Sequence, residues 1–231
     1  MGSDNLFHKR KAKKVTQLQR TKGSREPYDK VLIVCEGEKT EHYYLIPLIN
    51  HLKLPQANIT IDSKSDSDPL KVVNHAKKLI EASRNDPYDH VFCVIDRDKH
   101  ANYDKAIAQI NRYRKKDTQL HAIVSNPCFE FWILLHFTYT TKLFGTSGGS
   151  PCDDLIDNNL KKFIKDYQKG NKSIMSSIIE SRKLKTAVAN AKRANKTAKK
   201  NGTDNPTTQM DLLVDYLHGL KDKARSQPLK L

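Results

Sequence analysis

Long apolar runs are missing from this chain. No stretch approaches ~18 uninterrupted apolar residues, which excludes an obvious membrane-spanning helix. Cysteine is scarce too: Cys35, Cys93, Cys128 and Cys152 are scattered with no Cys-x-x-Cys spacing, and three of them fall in apolar runs. That pattern suits reduced thiols in a core and argues against a disulfide-dense secreted framework. The basic start, MGSDNLFHKRKAKK, is not followed by the apolar stretch of an export signal. The expectation is a cytoplasmic protein with no membrane partner.

Acidic residues are nearly absent from two segments. Residues 1–30 carry nine Lys/Arg against three Asp/Glu, and residues 181–200 carry eight against none, so these segments hold +14 of the formal +15. The remaining 181 residues, with 24 basic and 23 acidic side chains, are close to neutral. Long-range attraction for a polyanion therefore comes from one arm and one helix. Nucleic acid, either DNA or RNA with tRNA included, is the expected partner, because neutralising phosphates releases counterions whatever the base sequence. The candidate contacts are Lys9, Arg10, Lys11, Lys13 and Lys14 in the arm, and Arg182, Lys183, Lys185, Lys192, Arg193 and Lys196 in the helix.

With 231 residues the chain can bury one sizeable core without needing a metal or disulfide merely to fold. Residues 1–29 lack apolar periodicity and read as a basic flexible arm. Residues 30–144 read as an α/β core. KVLIVC (30–35) is a strand, and from Thr40 the positions Tyr43, Tyr44, Ile46, Leu48, Ile49 and Leu52 follow helical spacing, with Pro47 as a kink or break. ANITIDS (57–63) is a second strand. Asp68-Pro69 caps a helix carrying Leu70, Val73, Ala76, Leu79 and Ile80. HVFCVID (90–96) is a third strand, a basic helix follows over 102–116, and LHAIVS (120–125) is a fourth.

Strands alternating with helices predict a doubly wound, mainly parallel sheet of the Rossmann type. Asn126-Pro127 is expected to open the helix CFEFWILLHF. After the loop GTSGGSP, residues 152–231 read as a helical C-terminal region that includes the basic helix 181–200. There Leu184, Val188, Ala191, Ala194 and Ala198 make a stripe suited to close packing, and Thr207 or Thr208 caps a last amphipathic helix.

The stretch VLIVCEGEKTEHYY breaks from an apolar run into Glu36, Glu38, Lys39 and Glu41. Strand three ends in the same way, at Asp96-Arg97-Asp98. In parallel strands these ends share one edge of the sheet, where ligands of such folds gather. Carboxylates crowded together repel and raise each other's pKa unless a cation sits among them. A hard, oxygen-seeking ion, Mg²⁺ or Mn²⁺, answers that cost. Glu36, Asp96 and Asp98 are thus the candidate catalytic and metal-binding residues.

Gly37 allows a tight approach of backbone to phosphate. Glu41 is either a further ligand or a first-turn acid that suits the helix dipole, and Glu38 is open in the same way. Lys39 and Arg97 either hold a phosphate or pair with the acids. Glu130, set between Phe129 and Phe131, must reach the pocket or find a donor, and Asn126 ends the fourth strand nearby.

The segments VLIVCEGEKTEHYY (31–44), VFCVIDRDKH (91–100), SNPCFEFWILLHF (125–137) and NPTTQMDLLVDYL (205–217) resemble the RloB family, whose core belongs to the Toprim-like group. The resemblance implies a Toprim-type nuclease with Glu36 as the proton-transfer residue and Asp96 and Asp98 as Mg²⁺ ligands. It also implies an antiviral, abortive-infection effector encoded beside an AAA-type ATPase. In the OLD-type pattern a second acid follows the first at four positions, whereas here Glu41 lies five beyond Glu36. Either Glu38 or Glu41 fills that second position, so one metal and two are both compatible with the pattern, and a homo-oligomer is compatible with the sequence as a whole.

Overall fold

The computed structural model describes residues 28–65, 68–97, 100–145 and 149–226, with side chains as far as residue 220. Four strands run parallel: β1 (Val31–Cys35), β2 (Ile59–Asp62), β3 (His90–Asp96) and β4 (Gln119–Asn126). A short β5 (Thr207–Thr208) pairs antiparallel with the end of β4, and the sheet order is β2-β1-β3-β4-β5. The mainly parallel α/β sheet expected from the sequence is the one formed.

Alternation along the strands divides the core into two layers. Leu32, Val34, Val91, Cys93 and Ile95 face α2 (Pro69–Ala82) and α3 (Tyr103–Arg112). Val31, Ile33, Cys35, Phe92 and Val94 face the opposite side, toward α1 (Thr40–Leu52) and α4 (Glu130–Leu135). Because both faces are covered, VLIVC and VFCVI read as continuous apolar runs. Asp68 caps α2 as expected, accepting from Leu70 N at 2.9 Å and Lys71 N at 3.1 Å, with Pro69 at the first helical position. α1 runs unbroken through Pro47, whose ring removes one backbone donor without ending the helix.

Several local expectations change. The helix expected from Pro127 starts at Glu130, and Asn126-Pro127 is a cis peptide at the end of β4. Asn126 does not cap a helix; its Nδ2 donates to Asp204 Oδ1 at 3.2 Å. The basic helix after β3 ends at Arg112, and residues 113–118 turn back into β4.

The helical stretch expected over 152–200 is three helices: α5 (Pro151–Asn158), α6 (Lys172–Glu180) and α7 (Leu184–Lys200). Asn171 opens α6 by accepting from Ser173 N and Ile174 N. α7 buries Leu184, Ala187, Ala191, Ala194 and Ala198, a narrow stripe that lets it lie close against α4. Thr207 and Thr208 form β5, and Thr208 Oγ1 also accepts from Met210 N at 3.3 Å at the start of α8 (Met210–Ser226). Leu155, Met175, Ala191 and Leu213 bury in the same cluster as Val31 and Trp132. The C-terminal helices therefore share one core with the sheet and supply its fifth strand.

The expectation of four reduced thiols does not hold. Cys128 and Cys152 form a disulfide across a sequence separation of 24 residues, with Cα atoms 5.8 Å apart, while Cys35 and Cys93 are free and buried. Spacing could not reveal the pair, because it depends on α5 folding back against the segment before α4. Among the described residues no helix is long and apolar enough to cross a membrane.

Candidate functional site

A cleft of about 350 Å³ opens at the carboxyl ends of β1 and β3. Its acids are Glu36, Glu38, Glu41, Asp96 and Glu130, and Lys39, Lys169 and the His100 ring line it too. Glu36 N donates to Val94 O at 3.1 Å, so the ladder between β1 and β3 continues one residue past β1 and fixes the glutamate at the rim. The residue is 7% exposed. Its Oε2 accepts from Asp96 N at 2.8 Å, and His100 Nε2 lies 3.4 Å from Oε1.

Asp96 is the last residue of β3. Its Oδ1 is buried with no hydrogen-bond partner among the described residues. A buried carboxylate oxygen without a donor is costly. Burial, followed by the charges of Glu41, Glu130 and Glu36, pushes the Asp96 carboxyl well above its usual range, with Lys169 opposing.

Glu41 sits in the first turn of α1 and is also buried. Burial and the Glu130 and Glu36 carboxylates raise it from 4.5 to about 7, against the lowering by its own backbone hydrogen bond and Lys169. Gly37 is needed for space: a Cβ there would collide with the Glu41 carboxylate.

Glu130 reaches this cleft rather than an isolated core position. Tyr167 donates to its Oε1 at 3.0 Å, and Lys169 Nζ lies 3.9 Å from Oε2. The Cys152 sulfur of the disulfide is 3.4 Å from both Glu130 Oε2 and Lys169 Nζ. The loop carrying Lys169 is held down by Gly170 N, which donates to Thr40 Oγ1 at 2.9 Å. At Gly170 φ is +74°, and a Cβ would come within 2.7 Å of Lys39 Cβ, so both conformation and space demand glycine.

The structure thus brings Glu36, Asp96, Glu41 and Glu130 together, with Glu38 and Lys39 exposed at the mouth. Asp98 lies outside the described residues, as do Lys9, Arg10, Lys11, Lys13 and Lys14. Arg97 and Asn126 do not line the cleft. Both bind Asp204, Arg97 through an ion pair, and so tie the 201–206 turn to the ends of β3 and β4. Arg97 also lies over the Tyr103 ring, 5.2 Å from its centroid.

Sequence reading missed Tyr167, Lys169, Gly170 and His100. Tyr167 reads as one more apolar helix position, and Lys169 as one lysine among many. His100 had a signal, since it closes the same VFCVIDRDKH segment as the acids.

Arg182, Lys183, Lys185, Lys192, Arg193 and Lys196 are all exposed. Lys192 pairs with Asp215 at 2.7 Å. Arg193 packs over the Tyr139 ring at 3.9 Å and Lys183 over Phe137 at 4.6 Å. The Phe137 ring in turn stacks with Phe163, which is 47% exposed. These cations line an outer surface on which the half-buried Phe137 and Tyr139 rings are covered by Lys183 and Arg193.

Fold and site together define an α/β protein with an acid-lined cleft at the carboxyl edge of a mainly parallel sheet. The chain belongs to the RloB family: the family model described as RloB-like protein matches residues 31–217, most of its length. No curated protein and no solved structure matches it.

Proposed function

We propose that the protein is a metal-dependent phosphodiesterase that cleaves nucleic acid at the cleft between β1 and β3. One observation carries this reading: four carboxylates line one cleft, and Asp96 Oδ1 is buried there with no donor among the described residues. That donor set, oxygen only and short of positive charge, fits a hard divalent cation such as Mg²⁺ or Mn²⁺. Asp96 would hold it with Glu36 or Glu41, since among the described residues the oxygens of all three do not come within 4.8 Å of one another, and Asp98 is carried over from the Toprim resemblance. When bound, such an ion acidifies water and offsets charge on phosphoryl oxygens.

The chain's own groups do the rest. Glu36, fixed by Asp96 N and beside His100, is the proton-transfer residue. Lys169 offers a positive charge at the cleft wall, and the exposed face of α7 collects the polyanion. The family resemblance adds an anti-phage, abortive-infection role beside an AAA-type ATPase. The test is cleavage of DNA, RNA and tRNA with Mg²⁺ or Mn²⁺, with and without the ATPase. Loss of cleavage in Asp96→Asn and Glu36→Gln, with circular dichroism unchanged, is expected. Cleavage that survives both substitutions refutes the assignment.

One observation favours a second reading, a non-catalytic nucleic-acid-binding or regulatory subunit of an ATPase complex. Lys169 Nζ already stands 3.9 Å from Glu130, so part of the acid cluster has a resident cation. Pure protein that binds nucleic acid yet leaves every substrate intact, with the ATPase present, would select this reading.

A further inference from the structure

The sheet has an edge that is only partly covered. β4 pairs with β3 from Gln119 to Ser125, but β5 pairs with β4 only at Ser125 and Asn126. Val124 is capped by one side chain and one amide: its N–H donates to Gln209 Oε1 at 2.9 Å, and its carbonyl accepts from Gln209 N at 2.8 Å. Those two bonds fix the outward direction. Backbone groups alternate along a strand, so Leu120 and Ala122 also aim N–H and C=O away from β3. The inward set agrees, since Gln119 N donates to Asp89 O and Ser125 O accepts from Arg97 N. Among the described residues nothing bonds the outward groups of Leu120 and Ala122.

An open edge of this kind is a template for another strand, and folded proteins ordinarily blunt or cover it. Here it forms the floor of a groove of about 850 Å³. Tyr103, Ile107 and Ile110 of α3 stand along one wall, and the strand contributes Leu120, Ala122 and Val124. Arg114, Lys115 and Lys116 also line the groove, and no Asp or Glu does. Lys115 is 3.5 Å from Glu81, while Arg114 Nη1 is held by the carbonyls of Asn111 and Tyr113, and no acid among the described residues pairs with its charge.

We propose that this edge docks an extended acidic segment of a partner protein, which adds a strand beside Leu120–Val124. Backbone groups at the two-residue period of a strand match a peptide, whereas a nucleic acid would use the cations and ignore the strand. A second copy of the chain would set the Arg114–Lys116 cations against themselves. This surface is separate from the cleft, and the proposal stands whether or not the protein cuts nucleic acid.

The test uses the full chain and a fluorescent peptide of about eight residues, a typical strand length, alternating Glu and Val. Saturable binding is expected, about tenfold weaker for a Lys–Val counterpart and for a Glu–Val peptide N-methylated on alternate residues. Ala122→Pro removes one outward donor while sparing the ladder to β3, and should cost about tenfold as well. Amide exchange at Leu120 and Ala122 should be fast in the free protein and slow with peptide bound. Equal binding of the methylated and unmethylated peptides overturns the proposal and leaves a surface read by charge alone, open to nucleic acid. Absence of peptide binding overturns it, as does slow exchange at both amides in the free protein, which would mean that the chain covers its own edge. If Ala122→Pro does not fold, the methylated peptide on the unaltered chain decides the matter.

Discussion

The cleft and the outer face of α7 carry opposite charges in opposite surroundings. In the cleft, Glu36, Glu41 and Glu130 are buried and Asp96 has a buried orphan oxygen, so each carboxylate feels its neighbours at low effective dielectric. On α7 the cations are exposed, spaced along a helix, and individually paired at most with Asp215 or an aromatic ring. Crowding makes the acids change protonation or demand a counter-ion. Exposure lets the cations keep their charge and act additively at a distance.

The largest effect should separate the two regions outright. Glu36→Gln is expected to lower divalent-dependent cleavage by about 10²-fold or more, leaving nucleic-acid affinity unchanged. Steady-state rates and filter binding on the same preparation check this. Affinity falling in parallel with rate would merge the two regions.

Opening the Cys128–Cys152 bridge loosens the wall of the cleft. The closed loop, of 24 residues by sequence separation, predicts a loss of about 3 kcal/mol in the double Ser variant, read by urea unfolding under oxidising conditions. The unaltered chain in excess dithiol should match the variant.

The acids also predict a pH dependence of opposite sign to the usual carboxylate. Glu41 is raised from 4.5 in the unfolded chain to about 7 in the fold, so the folded state binds the proton more tightly. Its contribution to stability is fully present below about pH 4.5 and is lost as pH rises through about 7, by roughly 3 kcal/mol at most. Asp96, shifted in the same direction, adds to the fall. Melting temperature should therefore drop over that window. Glu41→Gln should flatten the profile, and millimolar Mg²⁺ should restore stability at the alkaline end; a flat profile in the unaltered chain would show the acids are not crowded.

The smallest effect belongs to the basic face. Lys185→Ala with Lys196→Ala should weaken binding of every nucleic acid to a similar degree and reduce the salt slope by about 2. A loss confined to one sequence would show base readout instead of phosphate attraction.

Much of this was legible along the chain. Strand runs such as VLIVC and HVFCVID announced themselves because a sheet buried on both faces leaves no room for polar alternation, and Asp68-Pro69 announced α2 because capping is local chemistry. Glu36 and Asp96 were legible for the related reason that polar residues ending buried strands must face an edge. The start of α4 was not, since Asn126 serves Asp204, a residue 78 positions away. The Arg97 partner was not legible either: it pairs with Asp204, because adjacency in sequence does not say which neighbour a long side chain will find.

What the sequence determined by itself is the set of periodicities and the sign of charge in each segment, both properties of residues a few positions apart. The tertiary structure alone decided that Glu41 and Glu130 join the acids, that Tyr167 and Lys169 close over them, that Cys128 meets Cys152, and that β5 stops short along β4. Each of these is a contact between distant segments. Only packing sets such distances, and burial then fixes how strongly the charges interact.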